Sequence, residues 1–261
     1  MKPSTGRWLP AAAMAVAFGL SAGSALAADA ISRDADEVLR AMSKFLGSAK
    51  AFSVSADIGN EIITDAGQKL QLNSHASLLI ERPSRIQVTR KGGFADVLMN
   101  YDGAKLTVYG KTLNAYLQKD VVGTIDQAIR EIERGTGLVM PGADLLLSDP
   151  YVVLTSGVVS SSYHGVAYFG DIEAHHLAFR TSEVDLQIWV KTGDEPLPLK
   201  YVITTKWLTG APQYSVQLSN WNLKPLVVAN RFRFVAPSGA TKLESMSVDQ
   251  TGELVLKQEG K

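Results

Sequence analysis

Residues 70–80 read Leu-Gln-Leu-Asn-Ser-His-Ala-Ser-Leu-Leu-Ile. Successive side chains of an extended chain point to opposite faces, so Leu70, Leu72, Ala76, Leu78 and Ile80 share one side while Gln71, Asn73, His75 and Ser77 share the other. This is a strand with one face for a core and one for water. Pro83 ends it, and the same period of two continues in Ile86 and Val88, in Val97, Met99 and Tyr101, and in Leu106 and Val108. Asp65-Ala66-Gly67, Gly92-Gly93 and Asp102-Gly103 mark turns between the runs, the last being a hairpin signal. Short alternating strands joined by tight turns make an antiparallel meander from about Phe52 to Leu117.

Outward from this meander the period changes. Before it, Ala35, Leu39, Met42 and Leu46 recur at helical spacing. Asp34, Asp36 and Glu37 load the first turn, Lys44 falls in the last, and Gly47 reads as the stop. After it, Thr124 and Gln127 have capping-box spacing ahead of Ile125, Ile129 and Ile132. Gly135 and Gly137 close that helix, and Pro141-Gly142 opens a short apolar element, Ala143 to Leu147, that Asp149-Pro150 terminates. Strands resume after Tyr163 and run close to Phe234, with Leu186, Ile188 and Val190 alternating against Asp185, Gln187 and Trp189. So many strands with one apolar face must curl or be covered. The expected fold is α+β and mainly β. It is a strongly curved antiparallel sheet, an incomplete barrel of about 10–11 strands, with an N-terminal helix and a helical lid.

Composition sets the class. Apolar residues are 46% and charged residues 20% of 261, which excludes a disordered chain. Lys2 and Arg7, the apolar run Trp8–Leu20 and the small residues Ala25 and Ala27 form a secretory signal of residues 1–27, cut between Ala27 and Ala28. Residues 28–240 are expected to form a single half-barrel domain and 241–261 a tail, with one extra strand at Leu254 and Leu256. Without the signal the chain holds 24 basic and 26 acidic residues, too balanced to seek nucleic acid. There is no cysteine, hence no disulfide, thiol chemistry or lipid-attachment site, and no later run is apolar for long enough to span a membrane. The expectation is a soluble periplasmic protein.

Residues with chemical potential are few. His175 and His176 stand out among four histidines, as metal ligands or as a base beside Asp171 or Glu173. Neighbours on a strand face opposite ways, which instead favours one packed and one exposed ring. Glu183 and Asp185 read as a solvated polar face rather than a carboxylate pair, and Ser160-Ser161-Ser162 before His164 as a loop. Trp189 lies on the polar face, as part of a second small core or as a contact surface.

Several segments resemble a bacterial family of predicted periplasmic proteins of unknown function. They are Arg82-Pro83-Ser84-Arg85, Tyr101-Asp102-Gly103, residues 141–146, residues 175–180, Asp185-Leu186-Gln187-Ile188-Trp189, Pro196 to Lys200, residues 210–214 and residues 232–240. The order of elements also resembles the lipoprotein carrier and receptor fold of the LolA/LolB type, which implies a helical lid over an apolar cavity. On that resemblance the chain is a carrier, not an enzyme, that needs no cofactor and holds a lipid or acyl chain. The lining residues are Leu72, Leu78, Val88, Met99, Val108 and Ile188, facing Ile129, Ile132 and Leu146. The alternatives are a module of the same shape that binds an envelope protein, and a metal-dependent enzyme at His175 and His176. N-terminal sequencing of the exported protein is expected to begin at Ala28; a start at Met1 would refute the signal.

Overall fold

The computed structural model describes residues 31–136, 142–248 and 254–255, so the signal and its Ala27–Ala28 cleavage site lie outside the described residues. Helix α1 (Arg33–Ser48) leads into six strands: β1 (Ala51–Ile63), β2 (Lys69–Glu81), β3 (Arg85–Gly92), β4 (Asp96–Tyr101), β5 (Lys105–Gly110) and β6 (Ala115–Asp120). A helical crossover follows, with α2 (Ile125–Thr136), a 3₁₀ turn (Ala143–Leu146) and α3 (Pro150–Leu154). Five more strands form the second meander: β7 (Ser160–Phe169), β8 (Ile172–Arg180), β9 (Val184–Lys191), β10 (Pro198–Thr205) and β11 (Gln213–Asn222). A second 3₁₀ turn (Ala229–Phe232), β12 (Thr241–Leu243) and the small ribbon of β13 (Ser247–Val248) with β14 (Leu254–Val255) complete the described chain.

The main sheet has twelve strands in the order β12-β6-β5-β4-β3-β2-β1-β11-β10-β9-β8-β7 and is not closed into a barrel. The two meanders are joined by antiparallel pairing of β1 with β11, and β12 adds to β6 in parallel. Laid flat, twelve strands about 4.8 Å apart would be roughly 50 Å wide. Yet Leu117 of β6 and Leu177 of β8 belong to one core with α1 and α2, so the sheet curls around its helices. That core uses the face expected from the period of two: Phe52, Val54 and Ala56 pair with Ile80, Leu78 and Ala76, and Leu78 and Ile80 pair with Val88 and Ile86. Helix α1 buries Ala35, Leu39, Met42 and Leu46 and packs on β7, β8 and β9 and on the crossover.

Four local expectations are corrected. Gly47 does not stop α1, which runs to Ser48 and so leaves Lys44 ahead of its last turn; a Cβ at Gly47 would stand 2.6 Å from the Ser148 carbonyl oxygen, so glycine permits the crossover to approach. The short element does end ahead of Asp149-Pro150, at Leu146, but Pro150 also begins α3, because the first helical position has no N–H bond to lose. Ser160-Ser161-Ser162 is strand, paired with Ala178, Phe179 and Arg180 of β8. Phe232 and Phe234 alternate without being in a strand. Residues 223–240 form a strap across the outer face, and alternation there records one side of the strap lying on the sheet. Phe232 is 1% exposed, and the Phe234 ring lies 5.6 and 5.0 Å from those of Tyr109 and Tyr116. The Arg231 carbonyl oxygen accepts from the Gln87 and Asn100 amides at 2.8 and 3.3 Å.

Replacing Phe232 with alanine should lower the unfolding free energy by roughly 3–5 kcal/mol. Val235→Ala, at an exposed strap position, should change it by less than about 0.5 kcal/mol. Urea denaturation of both variants checks this, and equal effects would mean that the strap is not docked.

Candidate functional site

The concave face and its helical cover are the candidate site. The capping box at the start of α2 forms as expected: the Thr124 N–H donates to Gln127 Oε1 at 2.7 Å, and the Gln127 N–H to Thr124 Oγ1 at 3.4 Å. It directs Ile125, Ala128, Ile129 and Ile132 into the core. The Ile125 N–H donates to the Pro83 carbonyl oxygen at 2.8 Å, which fixes the start of the cover at the end of β2.

Burial divides the nine expected lining residues. Met99, Val108, Ile129, Ile132 and Ile188 are buried in the core, and Leu72 is buried near the far end of β2. Leu78, Val88 and Leu146 are only half-buried, as is Val97. By register Leu78 pairs with Val88, and Val97 with Arg90 one step along, so these side chains form a strip on the inner face. Leu39, Met42, Leu46, Phe52, Ile80 and Ile188 are 0% exposed, so no water-sized void touches them. The concavity is therefore filled on the α1 side and incompletely buried along the Leu78–Val88–Val97 strip.

The cover is tethered by polar contacts. Arg82 donates from Nη2 to the Leu147 carbonyl oxygen at 3.0 Å, and burial lowers the pKa of its guanidinium. Asp126 accepts from the Ser148 N–H and hydroxyl at 3.1 and 2.6 Å. The Tyr151 hydroxyl donates to Asp36 and accepts from Arg40, tying α3 to α1. Inside, the Tyr201 hydroxyl of β10 donates to Asp144 Oδ2 of the 3₁₀ turn at 3.2 Å. Burial raises the Asp144 pKa, against the lowering effect of that one bond, and burial beside Asp144 pushes Tyr201 well up. Burial also raises the pKa of Tyr214. The sequence reading passed over Asp144, although a lone acid within Ala143-Asp144-Leu145-Leu146-Leu147 was its visible sign.

The histidines separate as strand geometry requires. His175 faces inward and its Nδ1 lies 2.9 Å from the Tyr163 hydroxyl; His176 faces outward, with Nε2 3.0 Å from Gln187 Oε1. Among the described residues no group of three or more His, Cys, Asp or Glu could hold a metal ion. Trp189 joins an outer-face cluster, stacked on His176 at 4.2 Å with Phe169 edge-on at 6.2 Å. Trp221 packs on Phe52 at 5.5 Å and donates to the Pro198 carbonyl oxygen. Asp185 is held by Arg180, whose hydrogen bond lowers its pKa, and is no member of a carboxylate pair. Among the described residues no helix is long and apolar enough to cross a membrane.

The model of a family described as "Predicted periplasmic protein (DUF2092)" matches residues 35–245. No curated protein matches the chain. Among solved structures, an uncharacterized conserved protein from Thermus thermophilus is similar with a TM-score of 0.48 and 12% identity, over 81% of this chain and 99% of that one. LprF from Mycobacterium bovis has a TM-score of 0.44 and 13% identity over 80% and 98%. A LolA superfamily protein from Nitrosomonas europaea has a TM-score of 0.36 and 12% identity over 77% and 97%. At these scores the likeness is one of outline.

Because its folded pKa is raised, the Asp144 carboxyl is tolerated while protonated and becomes a burden once it ionises. Wild-type stability from this group should be intact below the ordinary aspartate range, about pH 4, and fall as pH rises through the raised value. Asp144→Asn should remove that dependence, so its stability relative to wild type should improve with rising pH. Urea midpoints of both proteins across pH check this, and parallel curves would contradict it.

Proposed function

Since the chain belongs to the DUF2092 family of predicted periplasmic proteins, we propose that it is a periplasmic binding protein that receives a lipid or acyl chain between the curved sheet and its helical cover. The observation that carries this reading is that Leu78, Val88 and Val97 on the inner face, and Leu146 of the cover, are apolar and only half-buried. A hydrocarbon chain laid there gains about 0.8 kcal/mol for each CH₂ removed from water. Uptake moves the α2–α3 cover outward, and its tethers at Arg82, Asp126 and Asp144 are hydrogen bonds that water can replace. The filled α1 side stays in place and serves as the wall against which the cover closes. Leu72, Met99, Val108, Ile129, Ile132 and Ile188 extend the apolar lining as the cover moves.

A second reading, an envelope protein as partner, is favoured by the edge strand β7. Val166 and Tyr168 are 48% and 66% exposed, and among the described residues β8 is its one neighbour in the sheet. Such an edge can accept a strand from another chain. The metal-dependent enzyme is not supported, because His175 and His176 occupy opposite faces.

Mass spectrometry of organic extracts from protein purified without detergent should show a stoichiometric lipid. Val88→Glu, at a half-buried position, should lower affinity for a fluorescent fatty acid by about tenfold or more, since it puts a charge on the strip. An empty extract together with no uptake of added lipid would sink the carrier reading.

A further inference from the structure

One line of side chains crosses the outer face at right angles to the strands. By register Lys91 of β3 pairs with His75 of β2, and His75 with Asp57 of β1. Asp57 pairs with Gln217 of β11, and Gln217 with Lys200 of β10. Lys200 pairs with Trp189 of β9, and Trp189 with His176 of β8. His164 completes the line, its ring 5.0 Å from that of His176, so three of the four histidines lie along it.

A groove of about 530 Å³ runs beside this line, with Lys91 and Lys200 at its ends. Its floor is Gly59. A Cβ there would stand 2.5 Å from Gln71 Nε2 and 2.9 Å from Ser215 Oγ, so the missing side chain is what lets the sheet's outer face dip. The strap lies on Gln87 and Asn100 of β3 and β4 and leaves the groove open. At the other end the Lys200 ammonium lies 5.5 Å from the centre of the Trp189 ring, which is itself stacked on His176.

The chemistry of the lining selects a ligand. Gln71, Asn73, Gln217 and Ser215 each both donate and accept hydrogen bonds, which suits hydroxyl groups. Among the described residues neither lysine has an ion pair to a carboxylate: Asp96, across from Lys91 on β4, is held by Lys111 at 2.7 Å, and Asp57 in the line lies 2.7 Å from His75 Nδ1. The ends of the groove therefore favour negative charge and its middle favours hydroxyls. An alkyl chain would leave the amides without partners. Four strand spacings separate the lysine Cα atoms by roughly 19 Å, too far for one small anion to bridge. We propose that this groove binds an acidic saccharide, whose carboxylates meet Lys91 and Lys200 and whose hydroxyls meet Gln71, Asn73, Gln217 and Ser215. This assignment rests on the outer face alone and is independent of any ligand beneath the cover.

Calorimetric titration of the full exported chain with trigalacturonate tests it, with maltotriose and inorganic phosphate as controls. Wild type should bind trigalacturonate saturably. Lys91→Ala combined with Lys200→Ala should weaken binding by about tenfold or more, through loss of two charge-assisted contacts. Gly59→Ala, whose Cβ pushes Gln71 and Ser215 into the groove, should weaken binding as well, with the unfolding midpoint measured alongside to confirm that the variant is folded. Three outcomes overturn the proposal: no binding of trigalacturonate, undiminished binding by both variants, or equal affinity for maltotriose. Phosphate competing at equal concentration would reduce the groove to an anion site and overturn it as well.

Discussion

The chain leaves its sheet at β6, beside one edge, and re-enters at β7, on the opposite edge ten strand positions away. On a flat sheet that journey would be roughly 48 Å. The intervening residues 121–159 are long enough for that, but much of their length is helix and 3₁₀ turn packed into the core rather than stretched across it. Curling of the sheet brings the two edges together and shortens the crossing. The same curling makes a concave face, and the crossover that spans it becomes its cover. Helix α1 fills the remaining space against β7, β8 and β9.

The two sides of this interior are held differently. On the α1 side, side chains such as Leu39, Met42 and Ile188 are wholly enclosed, and separating them would expose apolar surface with nothing to replace the contact. On the crossover side Ile125, Ile129, Ile132 and Leu145 are buried in the same core, and hydrogen bonds at Arg82, Asp126, Tyr151 and Asp144, which water can replace, add to the attachment. A carboxyl with a raised pKa at that seam makes the attachment sensitive to pH.

The outer face shows how an open sheet manages its exposed surface. The strap lays Phe232 and Phe234 over β3 to β6, and β12 pairs with the β6 edge that would otherwise stand free. At the other edge, β7 carries a bulge, a register irregularity between Tyr163 and Val166. Between strap and bulge the face is bare, and there the polar groove lies.

Much of the fold was legible because its signals are local. The period of two in Leu70–Ile80 assigned each side chain to a face, and the spacing of Thr124 and Gln127 placed the start of α2. Phe232 and Phe234 misled because alternation reports that one side is buried, whether a ladder or a docked strap buries it. Nine lining positions could be named from pattern, while their division into enclosed and half-buried depended on where α1 and the cover settle. The sequence by itself therefore determined the strands, their inward faces and the need for a curved, covered sheet, since steric alternation and apolar burial act between near neighbours in the chain. Only the tertiary structure decided that Asp144 meets Tyr201 and that Lys91, His75, Asp57, Gln217 and Lys200 form one line. Those groups come from distant segments, and the register that aligns them is set by pairing between strands, which no periodicity within a strand encodes.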